Sequence, residues 1–192
     1  VRERAVVGQT GGHIGANSEQ VAIHPRQLLE DLEVLRRLEA AAADELRRNF
    51  EDDPNFIVPG VDWIRTARRV LTTDWIDGVQ LHDRDALVNQ GHDLENVVAN
   101  LAGAFFLQIF RDGFFHADLH PGNLFIAEDG AVIAVDFGIM GRIDKKTRQY
   151  LAEMLLGFLT GDYQRVAEVH FRAGYVPAGQ SVDAFAQAAR SI

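Results

Sequence analysis

An α+β fold is predicted for this chain, with a small, partly β region up to about residue 77 and a larger, mostly helical region after it. Three observations carry the prediction. Apolar residues recur at helical spacing over Leu28–Phe50, Lys145–Thr160 and Tyr163–Ala173. Two short apolar runs, Leu124–Ala127 and Ala131–Val135, flank Glu128-Asp129-Gly130 as the strands of a hairpin. Around that hairpin two acidic residues, an amide and two histidines crowd into Phe114–Asn123 and Asp136-Phe137-Gly138, a polar density that belongs to a site rather than a core.

Residues 1–27 read as a leader: Gly8, Gly11, Gly12 and Gly15 mark turns without a helical stripe. Gly-Gly-His-Ile-Gly is too loose a cluster to be read as a phosphate loop, and His13 receives no role. Val21–His24 reads as a short strand ended by Pro25. Leu28, Leu32, Leu35 and Leu38, followed by four alanines, make the first helix, and Glu51-Asp52-Asp53-Pro54 stops it.

Phe56–Val58 is the next strand. Arg69–Ile76 is a β-rich run ending in the turn pair Asp77-Gly78, with Trp63 and Ile64 as its expected partner. These elements fill 28–77, expected to be one unit, with 78–192 as the second. His82–Gly91 reads as a short helix or loop. Leu94–Arg111, apolar all round, reads as a buried helix closed by Asp112-Gly113. Val182–Arg190 is the last helix. Trp63 and Trp75 are expected in packing, Phe105, Phe106, Phe110, Phe114 and Phe115 in the core, and His82, His92 and His170 on the surface. Arg68-Arg69 reads as solvated charge, and Lys145-Lys146 as the start of the helix after the Asp-Phe-Gly segment.

Composition removes several classes of function. A net charge of −9 argues against general nucleic-acid binding, which draws on a basic surface. With no cysteine there is no disulfide framework and no thiolate metal site. No basic segment followed by an apolar one opens the chain, and the longest apolar run, Val97–Phe110, is too short to span a bilayer. The expectation is a cytoplasmic protein without a transmembrane span. Nucleotide binding stays open, because carboxylates can grip the metal ion that a polyphosphate carries.

Phosphoryl transfer needs a carboxylate beside the incoming nucleophile and metal-coordinating oxygens that hold the phosphates in line. In kinases these come from an H-x-D turn, an asparagine five residues after its aspartate, and a D-F-G aspartate beyond a hairpin. His116, Asp118, Asn123 and Asp136 stand in that order and at that spacing. Amide and carboxylate oxygens are hard donors suited to magnesium, making Asn123 and Asp136 the candidate metal ligands and Asp118 the candidate catalytic carboxylate. His116 would orient the turn by bonding to backbone, and Pro121-Gly122 would bend the chain back to present Asn123. The combination predicts a protein-kinase-like fold with a helical large lobe and an incomplete, partly β small lobe.

Phe-Phe-His-Ala-Asp-x-His-Pro-Gly-Asn followed by Val-Asp-Phe-Gly resembles the AarF/UbiB atypical kinase family. The resemblance extends to Leu46–Asp52, Val58-Pro59, Trp75-Ile76-Asp77-Gly78 and Gly161-Asp162-Tyr163, over roughly residues 39–192. It implies an ATP- and Mg2+-dependent kinase or ATPase supporting ubiquinone biosynthesis. It also implies quinone-biosynthesis proteins or a lipid surface as partners, and a location at the periphery of the inner membrane. Carried over by position, Asp118 matches the catalytic-loop aspartate and Asn123 and Asp136 the metal ligands. Leu71–Trp75, with Leu71, Thr73 and Trp75 toward the nucleotide, matches the last small-lobe strand and the hinge beside the adenine.

Two departures stand beside this. The only lysines are Lys145 and Lys146, so the family's K-x-G-Q motif and β3 lysine are both missing, and His24 occupies the lysine position of a V-A-I-K-like strand. Glu33 and Glu39 are both candidates for the acidic residue that faces that lysine. The chain ends before the hydrophobic tail of many bacterial members, and the expectation is a truncated or lesioned small lobe on an intact large one.

Three rivals are weighed against this reading. His116, Asp118 and His120 also spell H-x-D-x-H, a metal-hydrolase pattern that leaves Asp-Phe-Gly unexplained. Aminoglycoside- or choline-type phosphotransferases share H-x-D-x4-N, but not the Phe-Phe-His-Ala-Asp context. A non-catalytic pseudokinase or scaffold of the same family is the third.

Overall fold

The computed structural model describes residues 25–67, 70–177 and 179–191, with the side chains of the first helix described from Val34 onward. The leader through residue 24, the expected strand Val21–His24, and Arg68-Arg69 lie outside the described residues.

Helix α1 (Pro25–Asn49) opens on proline, whose fixed φ suits a first turn. Its core-facing stripe is Ala40, Ala43, Leu46 and then Phe50, spaced by three and four residues. Leu35 and Leu38, part of the leucine repeat that predicts the helix, are exposed instead. The helix stops at Asn49 ahead of the acidic stretch that ends in Pro54.

Two short strands follow, β1 (Phe56–Ile57) and β2 (Val79–Gln80), then α2 (Arg84–Asn89) and α3 (Leu94–Phe106). Asp83 and Asp93 cap these helices, accepting from the backbone N–H of Ala86 at 3.0 Å and of Glu95 at 2.9 Å. Past Phe106 the helix loosens into a π-helical turn, Leu107–Asp112, ended by Gly113 in the left-handed region at φ 65°. Strand β3 (Phe114–His116) and a 3₁₀ turn (Pro121–Asn123) lead into the hairpin β4 (Leu124–Ile126) and β5 (Val132–Ala134). Then come β6 (Met140–Arg142) and three helices, α4 (Lys145–Thr160), α5 (Tyr163–Arg172) and α6 (Val182–Arg190). Asp144, Asp162 and Ser181 cap those three.

The main sheet runs β1-β5-β4-β2. β1 lies parallel to β5, pairing Phe56 with Val132, while β5–β4 and β4–β2 are antiparallel. A second ladder pairs β3 with β6, His116 opposite Met140 and Phe115 opposite Gly141. One core gathers Leu46, Phe50, Phe56, Val97, Leu124, Ile126, Val132 and Phe137 from α1, α3, the sheet and the segment after it. Each such large side chain removed from water contributes on the order of 1.5–3 kcal/mol. A second layer forms where α4 crosses α5 at Gly157, so closely that a Cβ there would stand 2.6 Å from Cγ2 of Val166.

The structure corrects several expectations. Arg69–Ile76 does not form a regular strand among the described residues. Residues 60–67 and 70–74 pair with one another through isolated bridges, Val61 with Thr73 and Ala67 with Val70. The partner limb is therefore 60–62, and Trp63 and Ile64 lie in the bend, exposed. Trp75 is 75% exposed, not packed. α3 is not buried all round: Val97 and Ala104, with Ile109 of the π turn, face inward while Val98 is 63% exposed and Phe105 and Phe106 are also open. An apolar helix buries only the face that finds a neighbour. His170 is half-buried rather than fully on the surface; its ring packs 4.9 Å from that of Phe185 and its Nδ1 lies 2.8 Å from the Val166 carbonyl. His92 is likewise half-buried, with a sequestered Nε2. Among the described residues, no helix is long and apolar enough to cross a membrane.

Candidate functional site

The site is built where β3 leaves its ladder. The ladder continues by one further bond, Ala117 N–H to the Ile139 carbonyl at 3.0 Å, before the chain turns away at Asp118. That bond ties the residue before Asp118 to the residue after Gly138. The turn then closes on itself: His120 N–H donates to the Asp118 carbonyl and Asn123 N–H to the His120 carbonyl, each at 2.8 Å. His120 Nδ1 accepts from Gly122 N–H at 3.1 Å and caps the 3₁₀ turn.

Asn123 sits at the junction of turn and hairpin. Its Nδ2 donates to the Asp118 carbonyl at 3.4 Å, and its own carbonyl accepts from Val135 N–H at 2.9 Å. One residue thus holds the backbone of both aspartates' neighbourhoods. Asp136, next to Val135, takes a left-handed conformation at φ 63°, the only described non-glycine residue to do so. For an aspartate that conformation is tolerated at a cost, and it marks a position whose side-chain direction matters. Asp136 Oδ1 accepts from Gly138 N–H at 3.3 Å. Asp118 and Asp136 are both exposed, while Asn123 is half-buried.

His116 locks these pieces together. The imidazole is buried and touches backbone from both halves of the site. Nδ1 accepts from Asp118 N–H at 3.2 Å, and Nε2 stands 3.4 Å from the Val135 carbonyl oxygen. An acceptor at Nδ1 and a carbonyl at Nε2 select the Nε2–H tautomer. Its ring also packs 5.6 Å from that of Phe137, whose own burial seats the Asp-Phe-Gly segment. With both ring nitrogens turned to backbone, His116 is a poor metal ligand, which removes the H-x-D-x-H reading.

The donor set suits a hard cation. Asn123 turns its amide nitrogen to the chain, leaving Oδ1 for a ligand, and Asp136 has Oδ2 beyond its bond to Gly138. Such oxygens are the ligands that magnesium prefers, commonly with substrate phosphates and water completing the shell.

Leu71, Thr73 and Trp75 take no part in these contacts. Leu71 is half-buried, Thr73 pairs with Val61, and the Trp75 indole N–H donates to Asp77 Oδ1 at 3.0 Å. The segment after them does reach the site's frame: β2 pairs with β4, and Leu81 N–H donates to the carbonyl of Leu124, the residue after Asn123. Glu39, one of the two acidic residues considered against a lysine, bonds Arg36 at 2.6 Å; the Glu33 side chain and His24 lie outside the described residues.

One residue of this frame goes unnoticed in the sequence. Gln108 is fully buried, and its Oε1 accepts from His116 N–H at 2.9 Å. The available signal is its spacing: Val97, Leu101, Ala104 and Gln108 follow one another by four, three and four, placing an amide on the core stripe.

A helical large lobe, a hairpin and a paired H-x-D and D-F-G site define a protein-kinase-like domain. The model of the ABC1 atypical kinase-like domain matches residues 20–170. "Probable protein kinase UbiB" of Azotobacter vinelandii is 41% identical over 176 residues, covering 90% of this chain and 32% of that protein. The protein of the same name from Photobacterium profundum is 40% identical over 178 residues, with 91% and 32% covered. The Rv3197–erythromycin complex from Mycobacterium tuberculosis superposes with a TM-score of 0.57 at 24% identity, over 87% of this chain and 42% of that one, a likeness of fold. The chain belongs to the AarF/UbiB family of ABC1 atypical kinase-like proteins. It spans about a third of the length of the UbiB relatives it matches.

Proposed function

We propose that this domain is the catalytic part of a UbiB-type atypical kinase or ATPase that works on magnesium-bound ATP. The observation that carries the reading is the web joining Asp118, Asn123 and Asp136: Asn123 bonds the backbone of Asp118 and of Val135, and His116 bridges the same two segments.

Asn123 Oδ1 and the Asp136 carboxylate would hold the cation, which when bound neutralises phosphate charge. Asp118 would accept the proton of the attacking hydroxyl or water, exposed on its turn as an incoming group requires. His116 holds the Asp118 backbone in place and does not itself meet the reactants. Leu71, Thr73 and Trp75, on the limb before β2, are proposed to line the nucleotide's base. Following the family resemblance, the reading assigns the activity to ubiquinone biosynthesis, with proteins of that route or a lipid surface as partners.

The test is a thermal shift with ADP and magnesium, together with ATP turnover, on this domain and on Asp136→Asn. Stabilisation should rise with ADP as mass action requires, depend on magnesium and vanish in the variant. Binding without turnover in the intact chain would make the domain a non-catalytic scaffold. A shift that survives Asp136→Asn would sink the metal assignment.

A further inference from the structure

We infer that Gln108 is a positioning residue of this site, acting through His116 to set where Asp118 stands. The inference rests on the nucleotide reading for its consequence, but on geometry for its mechanism.

Gln108 grips the chain twice. Its backbone carbonyl accepts from Gly113 N–H, the five-residue reach that makes the end of α3 a π turn. Its side-chain Oε1 accepts from His116 N–H at 2.9 Å. The segment that swings from helix into β3 is therefore held at both ends by one residue. His116, fixed in this way at its main chain, passes the constraint on through its ring: Nδ1 to Asp118 N–H and Nε2 toward the Val135 carbonyl.

The second observation is an unmet group. Nε2 of Gln108 is sequestered and has no hydrogen-bond partner among the described residues. An amide with one end unsatisfied in a core is destabilising, and a leucine in line with Val97, Leu101 and Ala104 would remove that penalty only by leaving the buried His116 N–H without its acceptor. What the glutamine supplies in return is the acceptor for the main chain of His116, the residue that bonds Asp118. The side chain is too buried to touch a nucleotide, so its action is on geometry alone.

The experiment compares wild type, Gln108→Leu and Gln108→Glu. Leucine removes the acceptor; glutamate keeps an oxygen where Oε1 lies. In Gln108→Leu, kcat for ATP turnover should fall about 10–100-fold with KM within threefold, since displacement of a reacting group by about an ångström carries losses of that order. Gln108→Glu should recover at least half of the logarithmic loss. Independently of activity, exchange of the His116 amide should quicken at least about tenfold in the leucine variant. The 15N signature of its Nε2–H tautomer should be lost there and kept with glutamate. Retention of His116 protection and ring signature in a folded Gln108→Leu would overturn the inference. So would equal loss in both variants. If wild type neither binds nor turns over nucleotide, the kinase reading falls, while the His116 signals still decide the role of Gln108.

Discussion

The ring of Phe115 lies across Gly141, its cross-strand partner, so closely that a Cβ at position 141 would stand 2.2 Å from the ring's Cζ. This contact sits in the ladder that aligns the Asp118 turn with the segment after Asp136, so packing here and geometry at the site are linked.

Gly141→Ala should therefore push the Phe115 ring aside. The expected loss is about 1–3 kcal/mol, the usual range for overpacking a fitted position. Urea unfolding of the variant and of Gly141→Ala/Phe115→Leu checks this: the smaller partner should restore most of the midpoint.

Asp136 separates charge from conformation. Asn tolerates the left-handed region, so Asp136→Asn should keep the wild-type melting temperature while losing the magnesium-dependent response to ADP. Asp136→Ala should lose that response and a further 1 kcal/mol or so of stability, roughly the strain of an ordinary side chain at positive φ. Equal stabilities of the two variants would mean that the conformation at 136 is not held in solution.

Asn100 reaches from α3 to the hairpin turn, its Nδ2 donating to the Gly130 carbonyl at 3.2 Å. Removing it in Asn100→Ala should cost about 0.5–1.5 kcal/mol, the net worth of one such bond. Amide exchange at Gly130 and Ala131 should rise before exchange in α4 does.

Acid should loosen the helical layer at one place. Glu153 on α4 accepts from Arg165 and Arg172 of α5, and the hydrogen bond from Arg172, followed by the charges of both arginines, holds its carboxyl below the ordinary glutamate range. A lowered folded-state value means stability that is present above the unfolded value, near pH 4 or slightly higher, and lost as pH falls through the folded one. The difference in melting temperature between wild type and Glu153→Gln should be constant from about pH 6 to 7 and narrow progressively once pH falls below the ordinary glutamate range. A gap that does not narrow with acid would assign the effect to packing.

Much of the molecule was legible in the residues. The helices after residue 140 follow from apolar spacing, with Asp144 and Asp162 at their starts, and the hairpin from its Asp129-Gly130 turn. That His116, Asp118, Asn123 and Asp136 belong to one cluster was readable from short, fixed spacings, and the structure does bring their segments together. What escaped depends on contacts remote in sequence. β1 joins the sheet only because Phe56 finds Val132, and nothing local says so. Trp75 reads as a packing residue by its size, yet its indole rests on Asp77 at the surface. Gln108 is an unremarkable glutamine until the π turn aims it at His116.

The parallel pairing of β1 with β5 also has a consequence for how this domain comes off the ribosome. Hairpin β4–β5 can close as soon as its own residues emerge, but Phe56 and Ile57 must wait, unpaired, until Val132 and Ile133 have been synthesised. Throughout that interval α1 has no sheet to dock on, and Leu46 on it and Phe50 just after it lack the partners of their folded core. A ribosome stalled just short of Val132 should carry a nascent chain that proteases cut between α1 and β2, and one stalled beyond α4 should not.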